Sequence, residues 1–305
     1  FIEKRGNALP HPASLFGILA LIVLLLSVIG YYLGWNALHP ATGETINTIN
    51  LLSKEGFHKI LLEMVENYTG FAPLGIVMVA LLGIGIAESS GLISAAIRLM
   101  IIKSPTKIIT FVVVLAGILS NIASDLGYVL IILLGAIIFQ SVGRHPIAGM
   151  AAAFAGVSGG FSANLFIGTI DPLLAGISTE AANIIDKDYY VLPTANYYFM
   201  VASTFILAFA GTWVTNKFVE PRLGKYSGEV KADKLEKLSA KEKKGLKIVG
   251  IVTIFFILLI AAGLYPENGL LRGPDNSIFK SPVLKGFIAI LFIIASILGI
   301  VYGFI

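Results

Sequence analysis

The sequence predicts an all-α polytopic membrane protein, and three observations carry that prediction. Its 305 residues are 56% hydrophobic and only 13% charged, about half the charged share of a soluble domain. Mean hydropathy is +0.87. Several apolar runs also reach the roughly 20 residues needed to cross a hydrocarbon core ~30 Å thick. The chain has no cysteine, which excludes disulfides, thiol chemistry and thiolate metal sites. Its net charge is +4 and its isoelectric point about 9.1. The basic residues cluster in loops, where they set membrane orientation, so no nucleic-acid partner is expected.

The first span is expected at residues 14–33. It is too long for the apolar core of a signal peptide, and Tyr31, Tyr32 and Trp35 read as an interfacial anchor rather than a cleavage site. Residues 34–70 read as a polar loop. Within it, Phe57, Ile60, Leu61, Met64, Val65 and Tyr68 recur at helical spacing, predicting an amphipathic helix over 55–68 that lies at the interface. A second span follows at about 71–87, then a short helix over 91–102, with Ser104-Pro105 as a helix start. Further spans fall at 196–215, 246–264 and 285–305. The segment 217–247 carries ten Lys/Arg against five Asp/Glu. That segment and the basic stretch 98–107 belong on the cytoplasmic side, and the N-terminus with them.

Two intervals resist reading as straight spans. Residues 108–140 are flanked on both sides by basic residues, Lys107 and Arg144, and the first arm, 108–119, is only 12 residues, about 18 Å of helix. The middle reads Ser120-Asn121-Ile122-Ala123-Ser124-Asp125. This predicts a re-entrant hairpin with a polar tip near the midplane, where non-helical backbone survives only in protein or beside a watery cavity. Residues 146–177 must cross once but exceed one span, and their centre, Gly156 to Asn164, is rich in glycine and serine. A discontinuous helix is expected: one piece over 147–155, an unwound stretch, and a second piece from about Leu165. Such pairings of broken helix and hairpin present half-helix ends and freed carbonyls to anions and Na⁺.

The polar residues at membrane depth are the candidate site. Asp125 and Asp171 each cost at least about 2.5–3.5 kcal/mol to insert, which makes them functional candidates; each also reads as a helix cap or turn residue. Ser120, Asn121, Ser124, Ser158, Ser162 and Asn164, with the backbone at Gly159 and Gly160, supply neutral oxygens of the kind hard cations take, with a Na⁺ position near Asn121 and Ser158. Taken singly each reads rather as a cap or an interhelical hydrogen bond; clustered in two broken elements they point to a substrate or ion site. The four histidines show no ligand spacing, so no metal site and no cofactor is expected beyond a coupling Na⁺ or H⁺. Gly83-x-Gly85-x-x-Glu88 has no preceding strand and reads as a packing face rather than a nucleotide loop.

Several blocks resemble the p-aminobenzoyl-glutamate transporter (AbgT) family: Gly6-Asn7 with Leu9-Pro10-His11-Pro12, Thr69 to Gly75, Gly85 to Glu88, Ser120-Asn121 with Gly127-Tyr128-Val129, Gly143 to Pro146, and above all residues 151–176, AAAFAGVSGGFSANLFIGTIDPLLAG. The resemblance runs the length of the chain. It implies an inverted-repeat secondary transporter, dimeric and cation-coupled, in the bacterial inner membrane. Substrates of the family are p-aminobenzoyl-glutamate or sulfonamide-type antimetabolites, and its important first-half aspartate falls on Asp171. It also implies that the chain holds roughly the first three-fifths of such a protein, stopping before the second hairpin. The expected organisation is a first repeat over 1–216, a cytoplasmic linker over 217–246, and a connecting span opening the second repeat over 247–305. The other readings are a Na⁺-coupled dicarboxylate-type transporter, a passive channel and a non-transporting fragment. An intramembrane aspartyl protease is disfavoured, because Ser124 and Ile170 stand where that chemistry wants tyrosine or glycine before each aspartate.

Overall fold

The computed structural model describes residues 10–71, 73–123, 127–226, 238–278 and 280–305. Ser124 and Asp125 at the expected hairpin tip, the Gly6-Asn7 stretch and the middle of the charged linker lie outside the described residues. The chain divides into two compact units, Phe1–Ala72 with Thr179–Tyr189, and Pro73–Ser178 with Tyr190–Ile305.

In the first unit, helix α1 (Pro12–Tyr32) begins with proline in its first turn, where the missing N–H costs nothing. The His11 side chain accepts from the Ala13 N–H at 3.3 Å. Strands β1 (Asn36–Leu38) and β2 (Thr45–Asn47) pair antiparallel, Asn36 opposite Asn47, and the Thr48 N–H donates to the Trp35 carbonyl at 3.0 Å. Three-residue strands are too short to show alternation, so this ribbon is absent from a reading of 34–70 as loop. Helix α2 (Lys54–Thr69) is capped by Ser53, which accepts from the Gly56 N–H at 3.1 Å. Its apolar face of Phe57, Leu61, Met64, Val65 and Tyr68 is exposed, as the helical spacing requires of an interfacial helix.

The second unit contains α3 (Pro73–Ser89), α4 (Leu92–Ile102), α5 (Ile109–Ser120), α6 (Ile132–Ser141), α7 (Pro146–Gly159), α8 (Ile170–Asn183, its last turn in the first unit), α9 (Tyr197–Val214), α10 (Glu220–Leu223), α11 (Ala240–Leu264), α12 (Pro282–Lys285) and α13 (Phe287–Gly303). The chain turns by 112° between α4 and the segment that leads into α5. Among the described residues α1, the continuous helix Tyr197–Leu223 and α11 are each long and apolar enough to cross a membrane.

Both hairpin arms, α5 and α6, pack on α7 rather than chiefly on each other. Val113, Val114, Ala116, Ile118, Ile138 and Phe139 from the arms meet Ala148, Ala152, Ala153 and Val157 of α7 in one buried cluster. The small residues of α7 let the backbones approach: a Cβ on Gly149 would lie 2.1 Å from the Gly135 carbonyl oxygen, and one on Gly156 would lie 2.3 Å from that of Val114. This packing carries the helix past the expected end at 155, as far as Gly159. Tertiary contact here outweighs the ~1 kcal/mol by which glycine disfavours a helix.

The helices also reach further into the charged segment than hydropathy indicates. From α9 the chain continues through a wide π turn, Thr215–Val219, to Leu223. Helix α11 starts at Ala240, six residues before the expected span. Ser239 and Glu242 form a reciprocal capping box there, and lysine and glutamate are good helix formers.

Gly149→Ala should destabilise the solubilised protein by about 1–3 kcal/mol, the usual cost of overpacking. Gly75→Ala, where an added Cβ meets nothing within 4 Å, should be neutral or stabilising. Thermal unfolding of the two variants side by side checks this, and equal midpoints would show that the α6–α7 contact tolerates a methyl group.

Candidate ion and substrate site

The helical ladder stops at Gly159 and resumes at Ile170, and the hairpin tip comes up against this gap. At the tip Ser120 and Asn121 are buried. The two N–H groups of the Asn121 side-chain amide are shared among three carbonyls: Val157 in the last turn of α7 (3.1 Å), Gly160 just beyond it (3.2 Å) and Ile118 (3.1 Å). Asn164, also buried, works from the other side: its amide donates to Ile118 O at 3.4 Å, and its oxygen accepts the N–H groups of Leu165 (2.8 Å) and Phe166 (3.2 Å). Two asparagines thus supply to freed backbone groups the partners a helix would have given.

Asp171 stands in the first turn of α8, where the helix dipole favours a negative charge. One of its oxygens accepts from the Gly168 N–H at 2.8 Å. That oxygen and the Asn121 carbonyl oxygen converge on Gly168: a Cβ placed there would lie 3.9 Å from the one and 3.8 Å from the other. Around them is a cavity of about 100 Å³ with a mixed lining: Asn121, Ser162, Asn164, Asp171 and Asn196 are its polar walls, Phe161, Ile170, Leu174 and Met200 its apolar ones, with Gly168 between. One carboxylate among neutral amide, hydroxyl and carbonyl oxygens is a donor set for a hard monovalent cation. The space takes a few water molecules.

A second, larger chamber of about 520 Å³ lies against the same gap. Leu165, Phe166 and Ile167 form one wall, Leu192, Thr194, Tyr197 and Tyr198 another, and Val283, Leu284 and Phe287 a third. Its size falls in the range of small-molecule pockets, and its lining is apolar and aromatic. The Tyr197 hydroxyl donates to the Leu165 carbonyl at 3.1 Å. Residues 164–168 therefore separate the two spaces, with Asn164 and Gly168 lining the polar one and Leu165 to Ile167 the apolar one.

Asn121, Ser162, Asn164 and Asp171 thus share the polar cavity, and the Gly160 carbonyl is tied to Asn121. The remaining candidates among the described residues sit elsewhere. The Ser120 hydroxyl donates to Gly117 O within its own helix at 2.6 Å, and the Ser158 hydroxyl donates to the Tyr128 hydroxyl at 3.2 Å. Gly159 is exposed beside it. Gly168, Asn196 and Met200 are walls that sequence reading does not find. Asn196 was legible only as the polar residue at the start of a span, and Tyr197 only as an interfacial aromatic.

A re-entrant hairpin set against a broken, polar-lined helix defines a membrane transporter. A model of the AbgT putative transporter family matches residues 1–305, and the chain belongs to that family. It is 39% identical over 304 residues to the p-aminobenzoyl-glutamate transport protein of Escherichia coli (strain K12), covering 99% of this chain and 60% of the relative. Among solved structures it is similar to Neisseria gonorrhoeae MtrF, of a class of antimetabolite efflux pumps, with 50% identity and a TM-score of 0.83 over 97% of this chain and 62% of the other. It is likewise similar to the Alcanivorax borkumensis YdaH transporter, of unusual topology, with 42% identity and a TM-score of 0.81 over 96% and 62%. The chain spans about three-fifths of the length of these relatives. The relatives are transport proteins, not enzymes.

Replacing Asn121 by alanine would leave the carbonyls of Val157 and Gly160 without that amide. The expected loss is about 1–3 kcal/mol of stability, the cost of unsatisfied buried polar groups. Hydrogen exchange should accelerate in α7 and the 160–169 segment. Unchanged exchange there would mean water substitutes for the amide.

Proposed function

We propose that this chain works in cation-coupled secondary active transport of p-aminobenzoyl-glutamate, or of related aromatic and sulfonamide antimetabolites, across the bacterial inner membrane. One observation carries the reading: a polar, ion-sized cavity holding Asp171 and an aromatic-lined chamber share the single backbone segment 164–168. The large chamber suits a benzoyl ring, stacked or edge-on against Phe166, Tyr197 or Phe287. The small cavity suits Na⁺ or a proton on Asp171. The names of the relatives point to the same substrates, an aromatic acid and antimetabolites, and the ring-lined chamber favours them over a purely aliphatic dicarboxylate.

The basic residues Arg98, Lys103 and Lys107 and the linker support a cytoplasmic N-terminus by the positive-inside rule. The working unit is a homodimer embedded in the bilayer.

The test is accumulation of labelled p-aminobenzoyl-glutamate in proteoliposomes holding the protein at its full length, with and without an inward Na⁺ gradient. Accumulation should follow the Na⁺ or proton gradient. Asp171→Asn keeps an oxygen for the Gly168 N–H, so the protein should fold and insert normally, while gradient-driven uptake falls to the level of protein-free liposomes. Undiminished coupled uptake by that variant would remove Asp171 from the ion site. Uptake indifferent to every gradient would make the protein a channel.

A further inference from the structure

At the end of the hairpin away from its tip, one side chain joins three elements. Arg144 follows α6 by three residues and precedes α7 by two. The turn is set by Gly143 in the left-handed region at φ +75°. Arg144 Nε donates to Glu220 Oε1 at 2.8 Å, with a second contact from Nη2 to Oε2. Its Nη1 donates to the Thr110 hydroxyl at 2.7 Å and its Nη2 to Asn216 Oδ1 at 2.7 Å. The Thr110 hydroxyl itself donates to Asn216 Oδ1 at 2.9 Å. The guanidinium also lies over the Phe139 ring, 4.2 Å from its centroid. Thr110 is in the first turn of α5, Phe139 in the last turns of α6, Asn216 within the π turn beyond α9, and Glu220 where that turn closes. Arg144 and Glu220 are each about one-quarter exposed, so the pair is only partly screened by solvent.

The network therefore ties the base of both hairpin arms and the start of α7 to the end of α9. The polar cavity lies at the opposite end of the same two bodies, between Asn121 on the hairpin and Asn196 and Met200 on α9. From Thr110 to Asn121 is eleven residues of helix, ~16 Å, so a 10° change of angle at the base moves the tip by about 3 Å. A π turn, a feature often found at functional sites, sits where this angle is set.

We propose that Arg144 is a positioning residue: acting through Thr110, Asn216 and Glu220, it sets the angle between the hairpin and α9, and with it the width of the cavity between Asn121 and Met200. The consequence for transport rests on the reading of that cavity as the coupling-ion site. Only arginine suits the role. Its planar fork serves three acceptors in fixed directions while its face covers Phe139, and lysine presents one compact charge.

The chain has no cysteine, so spin labels can be placed without background. One pair, Leu133→Cys on α6 with Ile206→Cys on α9, reports the angle. A second, Leu82→Cys on α3 with Ile257→Cys on α11, is a control; all four residues are exposed. Leu133 lies eight residues, ~12 Å, from the base of its helix, so pulsed dipolar spectroscopy on the full-length protein should show the first distance shifted by about 2 Å, or broadened to that extent, in Arg144→Lys. The control pair should not change. Asn216→Ala, which removes the acceptor shared by Arg144 and Thr110 but leaves the Glu220 pair, should give a smaller shift in the same pair and serves if Arg144→Lys does not fold. In proteoliposomes the coupling-ion concentration for half-maximal uptake of labelled p-aminobenzoyl-glutamate should rise roughly five- to tenfold, a typical inter-site coupling.

An unchanged first distance in both variants overturns the proposal, whatever happens to uptake. Equal broadening of both pairs also overturns it, because that marks general loosening. A shifted first distance with unaltered ion dependence upholds the positioning role and removes the ion-site reading instead.

Discussion

A backbone N–H or carbonyl stranded in hydrocarbon costs several kcal/mol, and the centre of this molecule is organised around one place where the helical ladder stops. Between Gly159 and Ile170 the chain runs without helix for ten residues at a depth where helix is the default. What makes the gap tolerable is borrowed hydrogen bonding. The Asn121 amide reaches from the hairpin to Val157 and Gly160, Asn164 folds back on Leu165 and Phe166, and Asp171 receives Gly168. The hairpin is needed for the gap as much as for any ligand. Its tip must sit within hydrogen-bond reach of α7, which fixes how closely α5 and α6 approach that helix.

That closeness in turn demands small residues. Gly135, Gly149 and Gly156 lie at contacts where a Cβ would come within 2.1–2.5 Å of a carbonyl oxygen across the helix pair. Association of apolar helices in lipid gains little from the hydrophobic effect and depends on close van der Waals fit. The glycines of α7 therefore serve two ends. They weaken the helix near its C-terminus, where it must stop, and they provide the groove that lets the hairpin arms carry Asn121 to that stop.

The elements with long apolar runs were legible in the sequence: residues 14–33, 196–215 and 246–264 all become long helices, because hydropathy over ~20 residues answers to bilayer thickness alone. The hairpin and the break were legible as misfits, from arm length at 108–119 and glycine content at 156–164. Their boundaries were not. Glycine content places the stop at 155 and the restart at 165, whereas packing against α5 extends α7 to Gly159 and the Asp171 turn delays α8 to Ile170. The β1–β2 ribbon left no periodic trace. Within the site, Asn121, Asn164 and Asp171 announced themselves as polar residues at membrane depth. Gly168, Met200 and the ring of Tyr197 did not, since an apolar or small residue in an apolar run acquires meaning only from the neighbour that folding brings to it. Arg144 stands in the same position: its loop reads as an orientation signal, and its part in the network with Asn216 and Glu220 is long-range.

Coupling between an ion and a substrate requires an element whose state both occupants sense. In the transport proposed above, segment 164–168 would be that element, and it has two faces. One face of segment 164–168 is held by Asn164 and by the Gly168 N–H on Asp171; the other presents Leu165, Phe166 and Ile167 to the aromatic chamber and is held by the Tyr197 hydroxyl on the Leu165 carbonyl. Because the segment is not helical, no ladder of its own resists displacement, and its position is the resultant of contacts from both sides. A cation drawing on Asp171 competes with the Gly168 N–H for the same carboxylate. A ring seated against Phe166 bears on the residue whose N–H is bonded to Asn164. In that proposed reading each occupant would act on hydrogen bonds that hold this one segment. A continuous helix through 159–170, with its carbonyls and N–H groups already paired, would have insulated the two spaces from one another.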